Sequence, residues 1–229
     1  MGSSKYPISV REVTEILKNK YHNFDHYNLK DPLDELLFII LSTKTEEKSY
    51  RNSFRALKES FPTHDLIAIA TTYDIANAIA RGGLSTLKAN VIRNLIDSII
   101  DRFGAPTLEP LQEMENKQAE SFLLALPGIG KKIVRCVLMY SLGRQVFPVD
   151  THCWRISRRL GWVRPTQKDK RCMPRDMDRL QAKIPPEIRF SLHVNMVSLG
   201  REICIANKPK CEICPIALWC RKVGVRKEI

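Results

Sequence analysis

The sequence lacks the features that mark several classes of protein. No apolar run approaches the roughly 20 residues of a membrane-spanning helix, and no secretory type of apolar segment follows Met1. Strand-like alternation of apolar and polar residues is missing, as is any repeat of fixed period. These absences argue against a membrane protein and a repeat protein. We expect an all-α chain in the cytoplasm, associated with the nucleoid if the source is prokaryotic.

Acidic residues are too few to balance the basic ones. The 229 residues contain 37 Lys and Arg against 25 Asp and Glu, which gives a net charge of +12. An excess of this size favours a polyanionic partner, most often a nucleic acid. The alternative is a basic surface that only keeps the protein in solution. With 44% hydrophobic residues, the chain is long enough for one large domain or two small ones.

The seven cysteines do not form a disulfide pattern, because their number is odd and no export signal is visible. Thiolates at close spacing can hold an iron–sulfur cluster or a structural zinc. Zinc sites more often use two Cys-x2-Cys pairs, and only one is present. Cys136 lies in an apolar helix, where we expect it in the core. The four clustered cysteines are Cys204, Cys211, Cys214 and Cys220.

Helical periodicity dominates the chain, and several helix ends can be placed from capping patterns. Asp31-Pro32 reads as an N-cap followed by proline at the first helical position, and Ser9 to Glu12 reads as a capping box. We expect a helix over 66–80, then one capped by Ser85, whose inward residues are Leu87, Val91, Leu95 and Ile99. Residues 163–188 read as loop-rich, with Leu180 and Ile184 on one amphipathic turn, and 191–199 as a further helix.

The stretch LPGIGKK, residues 126–132, predicts a turn between two helices. Gly128 and Gly130 leave backbone N–H groups open to approach, and the following helix adds its own N-terminal donors and the positive end of its dipole. Such a site suits a DNA phosphate and ignores base identity. Lys131 adds a positive charge. An ordinary helical hairpin is the alternative.

A lysine and an aspartate suggest chemistry near this turn. Lys132 can serve as a phosphate contact or as a nucleophile, because nearby cations and a helix N-terminus disfavour its charged form. Asp150 can accept a proton or stabilise an oxocarbenium-like sugar cation. Neither residue is convincing alone.

Together these stretches resemble a known family. LPGIGKKIVRCVLMYSLG and FPVDTHCWRISRRLG look like the helix-hairpin-helix and Gly/Pro-Asp motif of the endonuclease III family of DNA glycosylases. The four-cysteine tail is similar to the [4Fe–4S] loop of that family, and the resemblance runs from about Asp31 to Cys220. It implies that Lys132 and Asp150 are the catalytic pair of a bifunctional glycosylase and AP lyase. Monofunctional adenine-removing relatives typically have serine where Lys132 stands.

The resemblance also implies an architecture and a partner. We expect two helical domains that flank a DNA-binding cleft. One is a six-helix bundle over 30–146 that contains the hairpin, and the other combines 1–29 with 147–229 and holds a [4Fe–4S] cluster on the four clustered cysteines. The expected partner is double-stranded DNA with a damaged or mismatched base, bound by a monomer.

Several further residues are expected to touch DNA. Leu84, after Gly83, matches the wedge that fills the space of a flipped-out base. The family pattern Leu-Ser-x-Gln reads here as 41–44 with Lys44 in place of glutamine, and lysine cannot accept a hydrogen bond from an orphaned base. Lys208 and Lys210 form a basic loop suited to a phosphate. His152 either orients the Asp150 loop or is structural. The arginines of the same helix, Arg155, Arg158 and Arg159, form a basic face that is either DNA-facing or solvated.

The substitution at Lys44 leaves the substrate open. Removal of oxidised pyrimidines is the activity that the resemblance implies first. A monofunctional enzyme, or one acting on mismatches or modified cytosine, is the alternative, since residues 147–163 also resemble plant 5-methylcytosine glycosylases. A non-catalytic DNA-binding iron–sulfur protein is a third reading.

Overall fold

A computed structural model describes residues 7, 9–166 and 170–225, and its regular elements within those ranges are helices. The prediction of an all-α chain is therefore confirmed. Shorter 3-10 turns occur at Ala80–Gly82, Glu109–Gln112, Pro186–Ile188, Cys211–Ile213 and Ala217–Trp219. The α-helices are α1 (Val10–Tyr21), α2 (Pro32–Ser42), α3 (Glu47–Ser60), α4 (His64–Ile69), α5 (Thr72–Ala78), α6 (Ser85–Phe103), α7 (Asn116–Ala125), α8 (Lys131–Tyr140), α9 (Thr151–Leu160), α10 (Pro174–Gln181) and α11 (Arg189–Glu202).

The chain divides into two compact units. One runs from Asn28 to Arg144, and the other joins the residues up to Tyr27 with those from Gln145 onward. The sequence analysis predicted that the first of these units runs from residue 30 to residue 146. Helices α2 to α8 belong to the first unit, and α1 and α9 to α11 belong to the second. No helix in the described ranges is long and apolar enough to span a membrane.

Helix α2 forms the centre of the 28–144 unit. Asp31 is its N-cap and accepts a 2.7 Å hydrogen bond from the Asp34 backbone N–H, with Pro32 at the first helical position, so the predicted start is confirmed. The residues from Leu36 to Leu41 are all buried, which is expected of a helix that is apolar on every side. Helices α3, α6 and α8 pack against it.

Two predicted helices of this unit differ from the structure. The helix expected over 66–80 is broken at Ala70, whose backbone is extended, and restarts as α5 at a capping box made by Thr71 and Asp74. The next helix begins one residue after Leu84, which is its N-cap with a left-handed backbone, so Ser85 is not the cap. Its inward face is confirmed in part: Leu95 and Ile99 are fully buried as predicted, whereas Leu87 is 64% exposed and Lys88, Ile92 and Ile96 are buried as well.

The second unit has its own core, in which α11 packs against both α1 and α9. Val13, Leu17 and Met196 are fully buried there. The predicted Ser9 capping box is wrong: Ser9 is the N-cap but makes no capping bond, and its hydroxyl instead accepts from Trp162 Nε1 at 3.1 Å.

The described part of the stretch 163–188, which leaves out 167–169, contains more regular structure than the sequence suggested. The stretch contains α10, and Leu180 and Ile184 are both fully buried. The predicted helix over 191–199 is confirmed and extends in both directions, as α11.

Candidate active site and nucleic-acid interface

The predicted hairpin is present in the 28–144 unit. Helix α7 ends at Ala125, a short turn follows, and α8 begins at Lys131 with Gly130 as its N-cap. Gly128 has a positive φ of 77°, and a Cβ there would lie 3.2 Å from both Val91 methyl carbons. The fold itself therefore requires glycine at 128.

Gly130 is a glycine that the fold does not require. Its φ is −102°, which any residue adopts, and an added Cβ would meet no atom within 4 Å. Open space in front of the N-terminus of a ten-residue helix is what the approach of a sugar–phosphate chain needs. This geometry agrees with a phosphate site at the hairpin.

Lys131 and Lys132 occupy the first turn of α8, and both are half-buried. A carboxylate of α2 acts on Lys132 from within the same unit. Glu35 is fully buried, and burial raises its pKa to about 7, against its hydrogen bonds and the charge of Lys132. Its carboxylate accepts from the Leu29 backbone N–H at 2.7 Å and from the Asn28 side chain. A buried acid that titrates near neutrality thus lies within electrostatic reach of the candidate nucleophile.

Asp150 is the N-cap of α9 in the second unit. Its side chain accepts from the Cys153 backbone N–H at 2.7 Å, which fixes the carboxylate at the positive end of the helix dipole. The backbone before it is held by His193, whose Nδ1 lies 3.0 Å from the Pro148 carbonyl oxygen. Asp150 and Lys132 therefore each sit on a well-supported helix start, in different units.

His152 belongs to a hydrogen-bonded group on the same helix. Its Nδ1 lies 3.0 Å from Arg155 Nη2, and Arg155 also donates to the Gly200 carbonyl at 2.9 Å. Burial lowers the pKa of His152, the Asp150 charge acts in the opposite direction, and Arg155 lowers it further. The His152 ring packs so closely on Gly200 that a Cβ there would lie 2.5 Å from Nδ1.

The two candidate base-contacting residues lie on neighbouring turns of the 28–144 unit. Lys44 follows α2 and is exposed, and Leu84 precedes α6 and is 50% exposed. Both have positive φ angles, 52° and 55°. For non-glycine residues this conformation is uncommon and costs about 1 kcal/mol, so neighbouring contacts must hold each turn.

The four clustered cysteines line one pocket in the second unit, which is open to solvent. Burial raises the pKa of Cys214 and Cys220, and the neighbouring cysteines add to the rise. Cys204 Sγ accepts from Arg159 Nη1 at 3.1 Å, and Cys220 Sγ accepts from the Lys222 N–H at 3.4 Å. Donors directed at sulfur are what a thiolate ligand needs.

Two of the three arginines of α9, Arg155 and Arg159, donate to carbonyl oxygens of their own unit, which corrects the prediction of a solvated or DNA-facing row. Arg159 is 7% exposed and donates to the carbonyls of Ile205 and Ala206, both at 2.8 Å. Arg155 donates to the Cys204 carbonyl at 2.8 Å. These side chains hold the loop between the first two cysteines. The exposed Lys208 and Lys210 lie on that loop.

Sequence reasoning missed three residues that shape the site. Glu35 and Lys88 are charged residues at buried positions of apolar helix faces, and this is the signal that could have identified them. Arg159 carried no such signal, because its neighbours Arg155 and Arg158 made it look like part of a basic surface.

The fold and the hairpin place the protein in the helix-hairpin-helix class of α-helical proteins. Residues 37–181 match the family described as HhH-GPD superfamily base excision DNA repair protein, and the chain belongs to this family.

Proteins from plants and archaea are similar to this chain in sequence. The chain is 31% identical to endonuclease III of Sulfolobus acidocaldarius over 188 residues, which are 81% of this chain and 80% of that protein. It is 35% identical to the Arabidopsis thaliana protein At3g47830 over 193 residues, 80% of this chain and 64% of the relative. DEMETER-like protein 2 of the same plant is 30% identical over 176 residues, 69% of this chain. The chain spans less than two thirds of either plant protein, and only 13% of the second.

Solved structures agree with the architecture. A trapped covalent intermediate of endonuclease III with DNA superposes with a TM-score of 0.79 at 24% identity, covering 96% of this chain and 97% of that one. This likeness shows the fold.

Proposed function

We propose that the protein is a bifunctional DNA glycosylase and AP lyase that acts as a monomer on double-stranded DNA. It removes damaged bases, with oxidised pyrimidines as the expected class. The observation that carries the proposal is the position of Lys132 in the first turn of α8, directly after a glycine turn with open space at Gly130. Membership of a base excision repair family supports it.

Lys132 supplies the nucleophile in this proposal. A duplex base must first swing out of the stack before its sugar can be reached. The neutral Lys132 amine then attacks C1′ of the deoxyribose, the bond from C1′ to the base breaks, and the base leaves with a proton. The sugar opens to a protonated Schiff base. Loss of a C2′ proton then breaks the C3′–O bond, which cuts the strand 3′ to the lesion.

Asp150 supplies negative charge in the same reaction. Its carboxylate either accepts the proton that the Lys132 ammonium must lose or stays ionised and stabilises the cationic sugar that develops as the base departs. The N-cap bond to Cys153 keeps the carboxylate in one orientation, so no reorganisation is needed when charge appears.

We infer that the four clustered cysteines hold a [4Fe–4S] cluster. The cluster is a structural cofactor that stabilises the C-terminal tail. The four thiols line one pocket, and Arg159 and the Lys222 N–H, which donate to Cys204 Sγ and Cys220 Sγ, would donate to the thiolates of the cluster.

Borohydride trapping tests the chemistry. Lys132→Gln should abolish covalent trapping on duplex DNA with a damaged base, whereas the neighbouring Lys131→Gln, which removes the same charge from the same turn, should only weaken binding. Asp150→Asn preserves the cap, because asparagine is as good an N-cap as aspartate, yet it should slow single-turnover base release by about 100-fold or more. Normal trapping by Lys132→Gln would assign the nucleophile to another amine.

A second candidate function is excision of a mismatched or modified base by the same site. Lys44, where the family pattern has glutamine, favours it, because an ammonium donates to acceptor edges of a base and cannot accept. Duplexes carrying oxidised pyrimidines, mismatched thymine or uracil, and 5-methylcytosine, scored for base release and for nicking, separate the candidates. Release without nicking would indicate a monofunctional enzyme, and binding without release a non-catalytic protein. Lys44→Gln should change the substrate ranking.

A further inference from the structure

Lys88 is a buried lysine that no step of the proposed reaction uses. It lies one turn into α6 and is 5% exposed. Its ammonium donates to the Leu41 carbonyl and to Thr45 Oγ1, both at 2.6 Å. Burial lowers the pKa of this amine. Charge is rarely buried unless it is paired or hydrogen-bonded. The function of Lys88 is therefore to be sought in what its two acceptors have in common.

Both acceptors belong to the turn that carries Lys44. The Leu41 carbonyl is one of the last four of α2, which have no partner within the helix, and a cation at that helix end interacts favourably with its dipole. Thr45 immediately follows Lys44. Lys88 therefore holds the two ends of a turn whose central residue has a positive φ.

The same contacts reach the turn that carries Leu84. The Thr45 hydroxyl lies 3.2 Å from the Gly82 carbonyl oxygen and 3.1 Å from the Thr43 carbonyl oxygen, and its single proton can be donated to either. The Lys88 backbone N–H donates to the Leu84 carbonyl at 3.0 Å. Gly82 is packed so closely on Ser53 that a Cβ there would lie 2.3 Å from Ser53 Oγ. One side chain and one hydroxyl thus connect two strained turns that are distant in sequence.

We propose that Lys88 is a positioning residue that holds the Lys44 turn and the Leu84 turn in one arrangement, so that both side chains enter the duplex together at the extruded base. This inference rests on the proposed function, because it assigns Lys44 and Leu84 to the DNA. Lys88 itself is buried and touches neither DNA nor the sugar. Its effect is on extrusion of the base and not on the Lys132 chemistry.

The test separates extrusion from chemistry. Lys88→Met keeps the length of the side chain and removes both hydrogen bonds, and Lys88→Arg retains the charge and donors. Extrusion is followed by the fluorescence of 2-aminopurine next to a mismatch as protein is added, which requires no catalysis. Chemistry is followed by borohydride trapping on a duplex that already has an abasic site.

Lys88→Met should release the base about tenfold more slowly than wild type, as misplacement of a positioning group does, and should lose the 2-aminopurine signal. Its trapping should stay within about threefold of wild type, and Lys88→Arg should recover part of both losses.

Combination with Leu84→Ala distinguishes positioning from general destabilisation. If Lys88 acts through Leu84, adding Lys88→Met to Leu84→Ala should change the 2-aminopurine signal by less than about twofold, whereas independent effects multiply. Thr45→Val, which removes only the hydroxyl between the two turns, should show a smaller loss of the same kind and provides the test if Lys88→Met does not fold. Equal losses in extrusion and trapping, or a Thr45→Val variant with a wild-type signal, would overturn the proposal. A wild-type protein that extrudes the base but neither releases nor traps it would overturn the proposed function alone.

Discussion

At the scale of single residues, Glu35 shows how burial and charge act on one side chain. Its carboxylate is fully buried, and its pKa is raised to about 7 mainly by desolvation. Between the ordinary glutamate pKa and 7, the folded protein keeps a proton that the unfolded chain has lost. Stability must therefore fall as pH rises through this window.

The stability of the wild type should consequently fall by about 2 to 3 kcal/mol between pH 5 and pH 8 relative to Glu35→Gln, which has no titrating group there. Urea unfolding at several pH values measures this difference in slope. A glutamine at position 35 can accept only one of the two hydrogen bonds that Glu35 accepts, so the variant differs in absolute stability. The comparison therefore concerns the slope of the free energy of unfolding against pH. The exposed Glu59→Gln serves as control and should follow the wild type. Parallel curves for wild type and Glu35→Gln would contradict the assignment.

Single residues also mark where sequence reasoning ended. Lys132, Asp150 and the four cysteines could be proposed from the sequence, because the turn glycines and the cysteine spacing are local patterns that resemble a known family. Lys88 was missed because its partners, Leu41 and Thr45, lie more than 40 residues away in sequence, and a buried ammonium is stable only where such acceptors exist.

At the scale of elements, the hairpin shows which glycine the fold requires and which it does not. Gly128 has a positive φ and a close neighbour, whereas Gly130 has neither. Substitution by alanine at each site therefore separates stability from DNA binding.

Gly130→Ala should leave the free energy of unfolding within about 0.5 kcal/mol of wild type, because its backbone conformation suits alanine. It should weaken binding to an undamaged duplex by about tenfold, since the methyl group blocks a phosphate from the N–H donors of α8. Fluorescence anisotropy and urea unfolding give the two quantities. Gly128→Ala is the control and should lose stability as well, by about 1 to 2 kcal/mol. If Gly130→Ala bound the duplex as tightly as wild type, the hairpin would not be part of the DNA interface.

The elements themselves were predictable to different degrees. The start of α2 was correct because Asp31 and Pro32 act within one turn of chain. The break between α4 and α5 was missed although Thr71 and Asp74 form a local capping box there. The inward face of α6 was predicted in part, since Leu95 and Ile99 are buried, and the rest depends on packing between helices. Apolar residues occur on two faces of α6, and only tertiary contacts bury Ile92 and Ile96 rather than Leu87.

At the scale of the whole molecule, the net charge of +12 is not spread evenly over the surface. Lys88, Arg135 and Arg159 are buried and bonded to other groups, so they contribute to the net charge without facing solvent. The composition predicted a polyanionic partner, but it could not show which cations remain available to one. The exposed Lys208 and Lys210 of the cysteine loop and the half-buried lysines in the first turn of α8 are the candidates for phosphate contacts.

Salt dependence measures how many of these cations meet phosphates. Each released phosphate contact changes the slope of log affinity against log salt concentration by about 0.9. The pair Lys208→Gln and Lys210→Gln should therefore reduce the slope for an undamaged duplex by about 1 to 2 if both side chains meet the backbone. Lys117→Gln removes another exposed charge, near the start of α7, and should leave the slope unchanged because Lys117 belongs neither to the hairpin turn nor to the cysteine loop. Equal reductions for both variants would mean that duplex DNA responds to the overall charge of the protein, and that the loop between the cysteines has no specific contact with the backbone.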